Sequence, residues 1–167
     1  MKTLTILRHA KSSWDDPALA DRDRPLSPRG RKDAPRMGRR IAAAGVRPSL
    51  ILSSPAVRAW KTARAAAREL GYPLEFLHRE PALYLASLDE LLDVVSAQDN
   101  QFNNLMLVGH NPGLTEFANF LSPGLTNNLP TAGVVSVAID QDHWVLNARP
   151  ATELVLYDYP KNVTADA

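Results

Sequence analysis

With 167 residues, 45% of them hydrophobic and 22% charged, the chain has the make-up of a soluble globular protein and is long enough to bury a core as one domain over residues 1–167. Nineteen Lys and Arg against eighteen Asp and Glu leave a formal charge of +1, which gives no case for nucleic acid or a membrane surface as partner. The absence of cysteine removes disulfides, thiolate metal sites and a Cys nucleophile together; with no signal-peptide pattern and no apolar run of membrane-spanning length, a monomer in the cytoplasm is the expectation.

Thr3 to Leu7 is apolar and partly β-branched, and reads as a short buried strand ending on Arg8 and His9. A loop rich in Asp, Pro and Ser follows over residues 11–27. Ala34, Met37, Ile41 and Ala44 recur at helical spacing, with Gly45 placed to end the helix. Pro35 suits only a first turn, so this helix begins near Asp33 or begins at Ser27 and bends. Leu50–Leu52 forms a second strand, and Ser53-Ser54-Pro55 signals a helix start before Val57, Trp60, Ala63, Ala67 and Leu70, closed by Gly71. Leu74–Leu77 is a third strand candidate. Ser87 and Glu90 have the spacing of a capping box before Leu88, Leu91, Leu92 and Val95. Leu105–Val108 is a fourth strand, and Asn111-Pro112 opens a helix carrying Leu114, Phe117, Ala118 and Leu121. Val134–Ile139 and Trp144–Asn147 flank a polar turn and read as a hairpin, with Glu153–Tyr157 as a last strand.

The alternation predicts an α/β fold: a three-layer α/β/α sandwich around a mainly parallel, doubly wound sheet, with an antiparallel C-terminal hairpin or edge strand. In such a sheet ligands bind beyond the carboxyl ends of the strands, at a switch in strand order. Polar groups fall at those ends: Arg8 and His9 after the first strand, Ser53, Ser54 and Arg58 after the second, His78, Arg79 and Glu80 after the third, and Gly109, His110 and Asn111 after the fourth. Taken singly, each reads as a surface residue or a helix cap; together they gather two arginines, two histidines and a helix N-terminus at matching points of the topology. Guanidinium forks fit phosphate oxygens, a helix first turn favours an anion, and imidazole serves as nucleophile, acid or base near neutral pH. Phosphoryl transfer is the class this set suits. No P-loop, no G-x-G-x-x-G and no H-E-x-x-H occurs, nor His and carboxylates at metal-ligand spacing, so neither a metal nor a cofactor is expected.

Leu7-Arg8-His9-Ala10 resembles the R-H-G/A signature of the histidine phosphatase superfamily, also called phosphoglycerate mutase-like. Ser53-Ser54-Pro55 with Arg58, Ala59, Thr62 and Ala63 resembles its second motif, and Val108-Gly109-His110-Asn111-Pro112 its third. Asp23-Arg24-Pro25-Leu26-Ser27 with Gly30 resembles a stretch of its small phosphohistidine phosphatase subgroup. The resemblance implies that His9 is the nucleophile, forming a phosphohistidine that water hydrolyses, and that Arg8, Arg58 and a protonated His110 bind the phosphoryl oxygens. It also implies a general acid after the third strand, where Glu80 matches best by position, with Asp89 and Glu90 as rivals. Lys11, Ser12 and Asn111 are further candidates for substrate contact.

The third strand and the next helix are joined by only about ten residues, too few for a covering subdomain. A shallow, open groove is therefore expected, suited to a phosphate on a protein side chain: a phosphohistidine phosphatase acting on a phosphorelay protein. The alternatives are a broad-specificity phosphomonoesterase on small substrates, a phosphate-binding module without turnover, and a polyanion-binding protein using the basic stretch 22–40.

Overall fold

The computed structural model describes residues 1–146 and 148–162. Six strands form one sheet: β1 (Lys2–Arg8), β2 (Leu50–Ser53), β3 (His78–Arg79), β4 (Asn104–Gly109), β5 (Val134–Ile139) and β6 (Thr152–Asp158). Four helices accompany them: α1 (Pro28–Ala43), α2 (Val57–Leu70), α3 (Leu88–Ser96) and α4 (Gly113–Leu121). The strand order is β3-β2-β4-β1-β5-β6, with β3, β2, β4 and β1 parallel and β5 and β6 antiparallel to their inner neighbours. Ala34, Met37 and Ile41 of α1 and Ala59, Ala63 and Ala67 of α2 bury against one face of the sheet. Leu91 and Val95 of α3 and Leu114 and Phe117 of α4 bury against the other. This is the three-layer, doubly wound architecture expected of the alternation.

Strand order explains which face each helix takes. From β1 through β2 to β3 the chain steps toward one edge, and the right-handed rule puts α1 and α2 on one face. After β3 it steps back across β2 to β4, so α3 falls on the opposite face. β1 and β4 are neighbours whose following helices lie on opposite faces. Their carboxyl ends therefore open into a crevice, the switch point at which such sheets bind ligands.

Local chemistry accounts for most element boundaries. Ser27 Oγ accepts from Gly30 N at 3.1 Å with Pro28 in the first turn, so α1 starts at the earlier of the two expected points and runs through Pro35 as one helix. Gly45 after α1 and Gly71 after α2 have φ of +82° and +68°. Both halves of the capping box are made: Glu90 N donates to Ser87 Oγ at 3.2 Å and Ser87 N to Glu90 Oε1 at 3.1 Å.

Three expectations are corrected. Leu74–Leu77 is not a strand: Leu74–Phe76 closes a 3-10 turn, with Leu77 N donating to Leu74 O at 3.1 Å and Tyr72 OH to Phe76 O at 3.0 Å. The strand is only His78–Arg79, because the preceding backbone groups are already satisfied locally. Helix α2 begins at Val57 rather than at Ser53-Ser54-Pro55, with Ala56 at the cap position and no side-chain cap. Trp144 to Leu146 does not pair with β5, and Asn147 lies outside the described residues. The partner of β5 is β6, while Trp144 is fully buried and donates from Nε1 to Phe102 O at 2.9 Å. An apolar run of this length reads alike as strand or core plug, and the indole found a hydrogen-bond acceptor in the core. Among the described residues no helix is long and apolar enough to cross a membrane.

One close approach ties the fold to the crevice. A Cβ at Gly30 would lie 2.1 Å from the backbone oxygen of Lys11, in the loop that follows His9, and backbone cannot swing aside. Gly45 faces open space, so alanine there meets only backbone strain. We therefore expect Gly30→Ala to cost about 2 kcal/mol, on the order of 4–8 °C in Tm. Gly45→Ala is expected to cost about 1 kcal/mol. Thermal melts of the two variants against wild type check the difference, and equal losses would contradict it.

Candidate active site

His9 and His110 leave adjacent parallel strands at the same level. Arg8 pairs with Gly109 at the end of the β1–β4 ladder, and His9 N donates to Gly109 O at 3.0 Å. The two rings lie 5.2 Å apart between centroids at 54°. Arg58 sits in the first turn of α2, only 4% exposed, and reaches across to this pair. The structure thus brings Arg8, His9, Arg58 and His110 together at the switch-point crevice.

The hydrogen bonds fix the tautomers. His9 Nδ1 lies 2.8 Å from Ala10 O, and a carbonyl only accepts, so Nδ1 carries the proton and the lone pair of the neutral ring is on Nε2. His110 is held the other way round. Its Nδ1 accepts from Arg58 Nη2 at 3.4 Å, so Nε2 bears the proton and donates to Ser54 Oγ at 2.7 Å. Burial, opposed by the Ala10 hydrogen bond and reinforced by Arg58 and Arg8, lowers the His9 pKa from 6.5 to about 4. Burial, with the neighbouring His9 and Arg58, lowers that of His110 to about 3. Near neutral pH both rings are therefore neutral, and the positive charge is carried by guanidinium groups.

Thr62 braces the loop that follows His9. Its hydroxyl accepts from Ala10 N at 2.9 Å and donates to Arg58 O at 2.7 Å, joining the residue after His9 to the helix that carries Arg58. That bond supplies a physical reason for a threonine one helical turn after the arginine.

Two residues passed over in the sequence complete the site. Asp21 lies in a 3-10 turn before α1. Its backbone oxygen accepts from Arg58 Nη1 at 2.7 Å and its carboxylate from Arg58 Nη2 at 3.0 Å, Arg24 Nη1 at 3.2 Å and the Tyr84 hydroxyl at 2.5 Å. The Tyr84 hydrogen bond, with Arg58 and Arg24, holds the Asp21 carboxyl at about 2, below the usual range and against the opposing effect of burial. Tyr84 in turn packs edge-on over His110, 5.4 Å between centroids at 90°. In the sequence Asp21 only borders the basic stretch 22–40, and neither residue lies in a motif.

The remaining candidates have other partners. Glu80 caps the 3-10 turn Pro81–Leu83, accepting from Ala82 N at 3.3 Å, and its second oxygen is 4.0 Å from His78 Nε2. Among the described residues none of its hydrogen bonds or ion pairs reaches His9, Arg58 or His110. Glu90 belongs to the capping box, and Asp89 is in the first turn of α3. Ser12 Oγ accepts from Arg24 Nη2 at 2.5 Å, which fixes the arginine that holds Asp21. The Asn111 side chain donates to Leu129 O at 2.9 Å and Asn128 Oδ1 at 3.2 Å, and accepts from Thr115 N at 3.1 Å and Thr115 Oγ1 at 2.9 Å. It pins the 128–129 loop against the start of α4, and Leu129 O also accepts from Arg8 Nη1 at 3.0 Å. Lys11 is exposed on the flank beyond Arg8. Among the described residues no group of three or more His, Asp or Glu is placed to hold a metal ion.

Neutral histidines on adjacent strand ends are expected to leave a mark on stability. Both folded-state values lie below 6.5, so the unfolded chain binds more protons wherever pH is under that value. The stability conferred by the neutral pair is complete above about pH 6.5 and is lost as pH falls toward 4. Wild-type Tm should drop between pH 7 and pH 5, before most carboxylates titrate, and His110→Gln should flatten that slope. A variant whose slope matched wild type would contradict the assignment.

Comparison with known proteins agrees with this geometry. Residues 4–80 match the model of the histidine phosphatase superfamily (branch 1). An uncharacterized chloroplast protein of Arabidopsis thaliana is 34% identical over 151 residues, covering 86% of this chain and 69% of its own. The structure superposes on SixA of Agrobacterium tumefaciens, a proposed phosphohistidine phosphatase, with a TM-score of 0.81, 28% identity and coverage of 95% and 98% of the two chains. It also superposes on the protein histidine phosphatase SixA complexed with tungstate, with a TM-score of 0.79, 22% identity and coverage of 96% and 99%, a likeness of fold. The paired histidines thus stand on a backbone shared over nearly the whole chain, and the chain belongs to the histidine phosphatase superfamily.

Proposed function

We propose that the protein is a metal-independent phosphatase that hydrolyses phosphohistidine on a partner protein through a phosphohistidine of its own. The observation that carries this reading is the His9 tautomer: Nδ1 is tied to Ala10 O, so the neutral ring offers Nε2 as nucleophile beside three cationic or protonatable groups. Nε2 attacks phosphorus in line, the new N–P bond forms as the bond to the leaving group breaks, and the electron pair leaves with that group. Arg8 and Arg58 bind the equatorial oxygens and stabilise the charge spread over them. Water then attacks the phosphohistidine, releasing inorganic phosphate and restoring neutral His9.

His110 takes up a proton when the phosphate arrives. Burial, with the field of His9 and Arg58, depresses its pKa; a dianion opposes that shift, and protonated Nδ1 can donate to a phosphoryl oxygen once Arg58 Nη2 has turned from the ring to the substrate. Asp21 steers that turn, since it holds both ends of the Arg58 fork. Glu80 already has a capping task, and the proposed substrate makes a dedicated acid less necessary: a phosphoramidate nitrogen accepts its proton from solvent as it leaves.

The substrate class follows from access. Between β3 and α3 stand only the turn Pro81–Leu83 and a few residues, among which Tyr84 packs edge-on against His110. A crevice without a covering subdomain between β3 and α3 suits a phosphate on a protein side chain better than a small metabolite, which needs enclosure. The SixA relatives, phosphohistidine phosphatases by name, support the same choice.

The direct test compares a histidine-phosphorylated protein, a sugar phosphate and an aryl phosphate as substrates, each with EDTA. Phosphohistidine turnover should exceed the other two and survive EDTA, and acid-labile phosphate should be trapped on His9. Full activity in His9→Ala would contradict the mechanism, and faster turnover of the small esters would favour a broad phosphomonoesterase. Asp21→Asn should lower kcat roughly tenfold with KM little changed, and Asp21→Glu should recover part of it, as expected for a residue that orients another.

A further inference from the structure

The edge of the sheet that carries the histidines continues past Arg8. The loop before β5 and the chain after β6 both emerge at this edge, because β5 runs antiparallel to β1 and β6 antiparallel to β5. Between them lies a cleft of about 440 Å³. Arg8, Lys11, Arg29 and Lys161 line it, with Asn128 and Tyr159 among its neutral walls, and among the described residues no carboxylate lines it. Four cations in one cleft stand out in a chain whose formal charge is only +1. Arg29 has Asp33 as a partner, Nε to Oδ2 at 3.3 Å. Lys11 and Lys161 have no ion-pair partner among the described residues, and the buried Arg8 Nε has no hydrogen-bond acceptor there. A desolvated donor left without an acceptor is costly, and an anion in the cleft is what this lining lacks.

The cleft is built on fixed backbone. Lys11 O accepts from Ser27 N at 2.9 Å and from Ser27 Oγ at 3.2 Å, so the first turn of α1 anchors the residue carrying one lysine. The Arg8 side chain is held to Leu129 O, between the lining residues Asn128 and Pro130. Because Arg8 belongs both to this cleft and to the histidine site, an anion bound here lies next to the transferred phosphoryl group.

We propose that this cleft is a second anion subsite, taking a carboxylate of the phosphorylated protein from a residue that flanks the phosphohistidine. It rests on the phosphatase reading above and narrows its substrate to acidic surroundings. Charge complementarity is the reason: one acidic side chain satisfies the two unpaired lysines, which the phosphoryl group itself, held at Arg58 and the histidines, leaves unmatched.

The test uses two peptides phosphorylated on a single histidine, one flanked on both sides by Glu and one by Gln. A matched pair of aryl phosphates carries a carboxylate arm or its carboxamide. Wild type should prefer the Glu peptide by about fivefold in kcat/KM, expressed in KM and weakened by salt. Lys161→Glu should abolish or invert that preference, and Lys161→Ala should reduce it, with melts showing both folded. Equal turnover of the two peptides by wild type, or a preference unchanged in Lys161→Glu, overturns the subsite. A preference confined to the carboxylated aryl phosphate overturns the protein source of the anion. If wild type hydrolyses neither peptide, the phosphohistidine reading has failed; the aryl pair then judges the cleft alone, and equal turnover of that pair overturns it.

Discussion

The parallel pairing of β1 with β4 is the constraint on which the site depends. The register places Arg8 opposite Gly109, and the next hydrogen bond, His9 N to Gly109 O, sets the two histidines beside each other as the strands end. The helices that follow lie on opposite faces of the sheet, so the crevice above the pair is a consequence of winding. A shift of one residue in this register would send His9 to the other side of the sheet and dissolve the site.

Electrostatics then decides how the crevice is used. Burial beside arginines keeps both imidazoles neutral, which suits a nucleophile. The same arginines would repel one another and waste their hydrogen bonds without an acceptor, and Asp21 supplies one for Arg58 and Arg24. The donors of the pocket are thus held by a partly exposed carboxylate, and in the proposed reaction part of that network is exchanged for phosphoryl oxygens. On the far side Arg8 opens onto the cationic cleft. The site thus has an acidic brace on one flank and a basic extension on the other.

Much of this was legible in the chain. Apolar patterning places five of the six strands and all four helices to within a few residues, and Arg8, His9, Arg58 and His110 are marked by their places at strand and helix ends. Where the reading failed, the reason was local ambiguity. Leu74–Leu77 is apolar enough for a strand, but its backbone groups are satisfied within a turn. Trp144 has the look of a strand residue and is a core plug whose indole found Phe102 O. Ser54 read as a helix cap, while its hydroxyl is the acceptor that sets the His110 tautomer.

What the sequence determined by itself was the alternation of elements, the caps that bound them and the side chains delivered at their ends, because each depends on residues within a turn or two of one another. The tertiary structure alone decided that β4 lies against β1 and that Tyr84 and Asp21 meet from 63 residues apart. It alone closed a cleft between Lys11 and Lys161. These are outcomes of packing the whole sheet: periodicity records which face of an element is buried, and carries no record of which distant element will bury it.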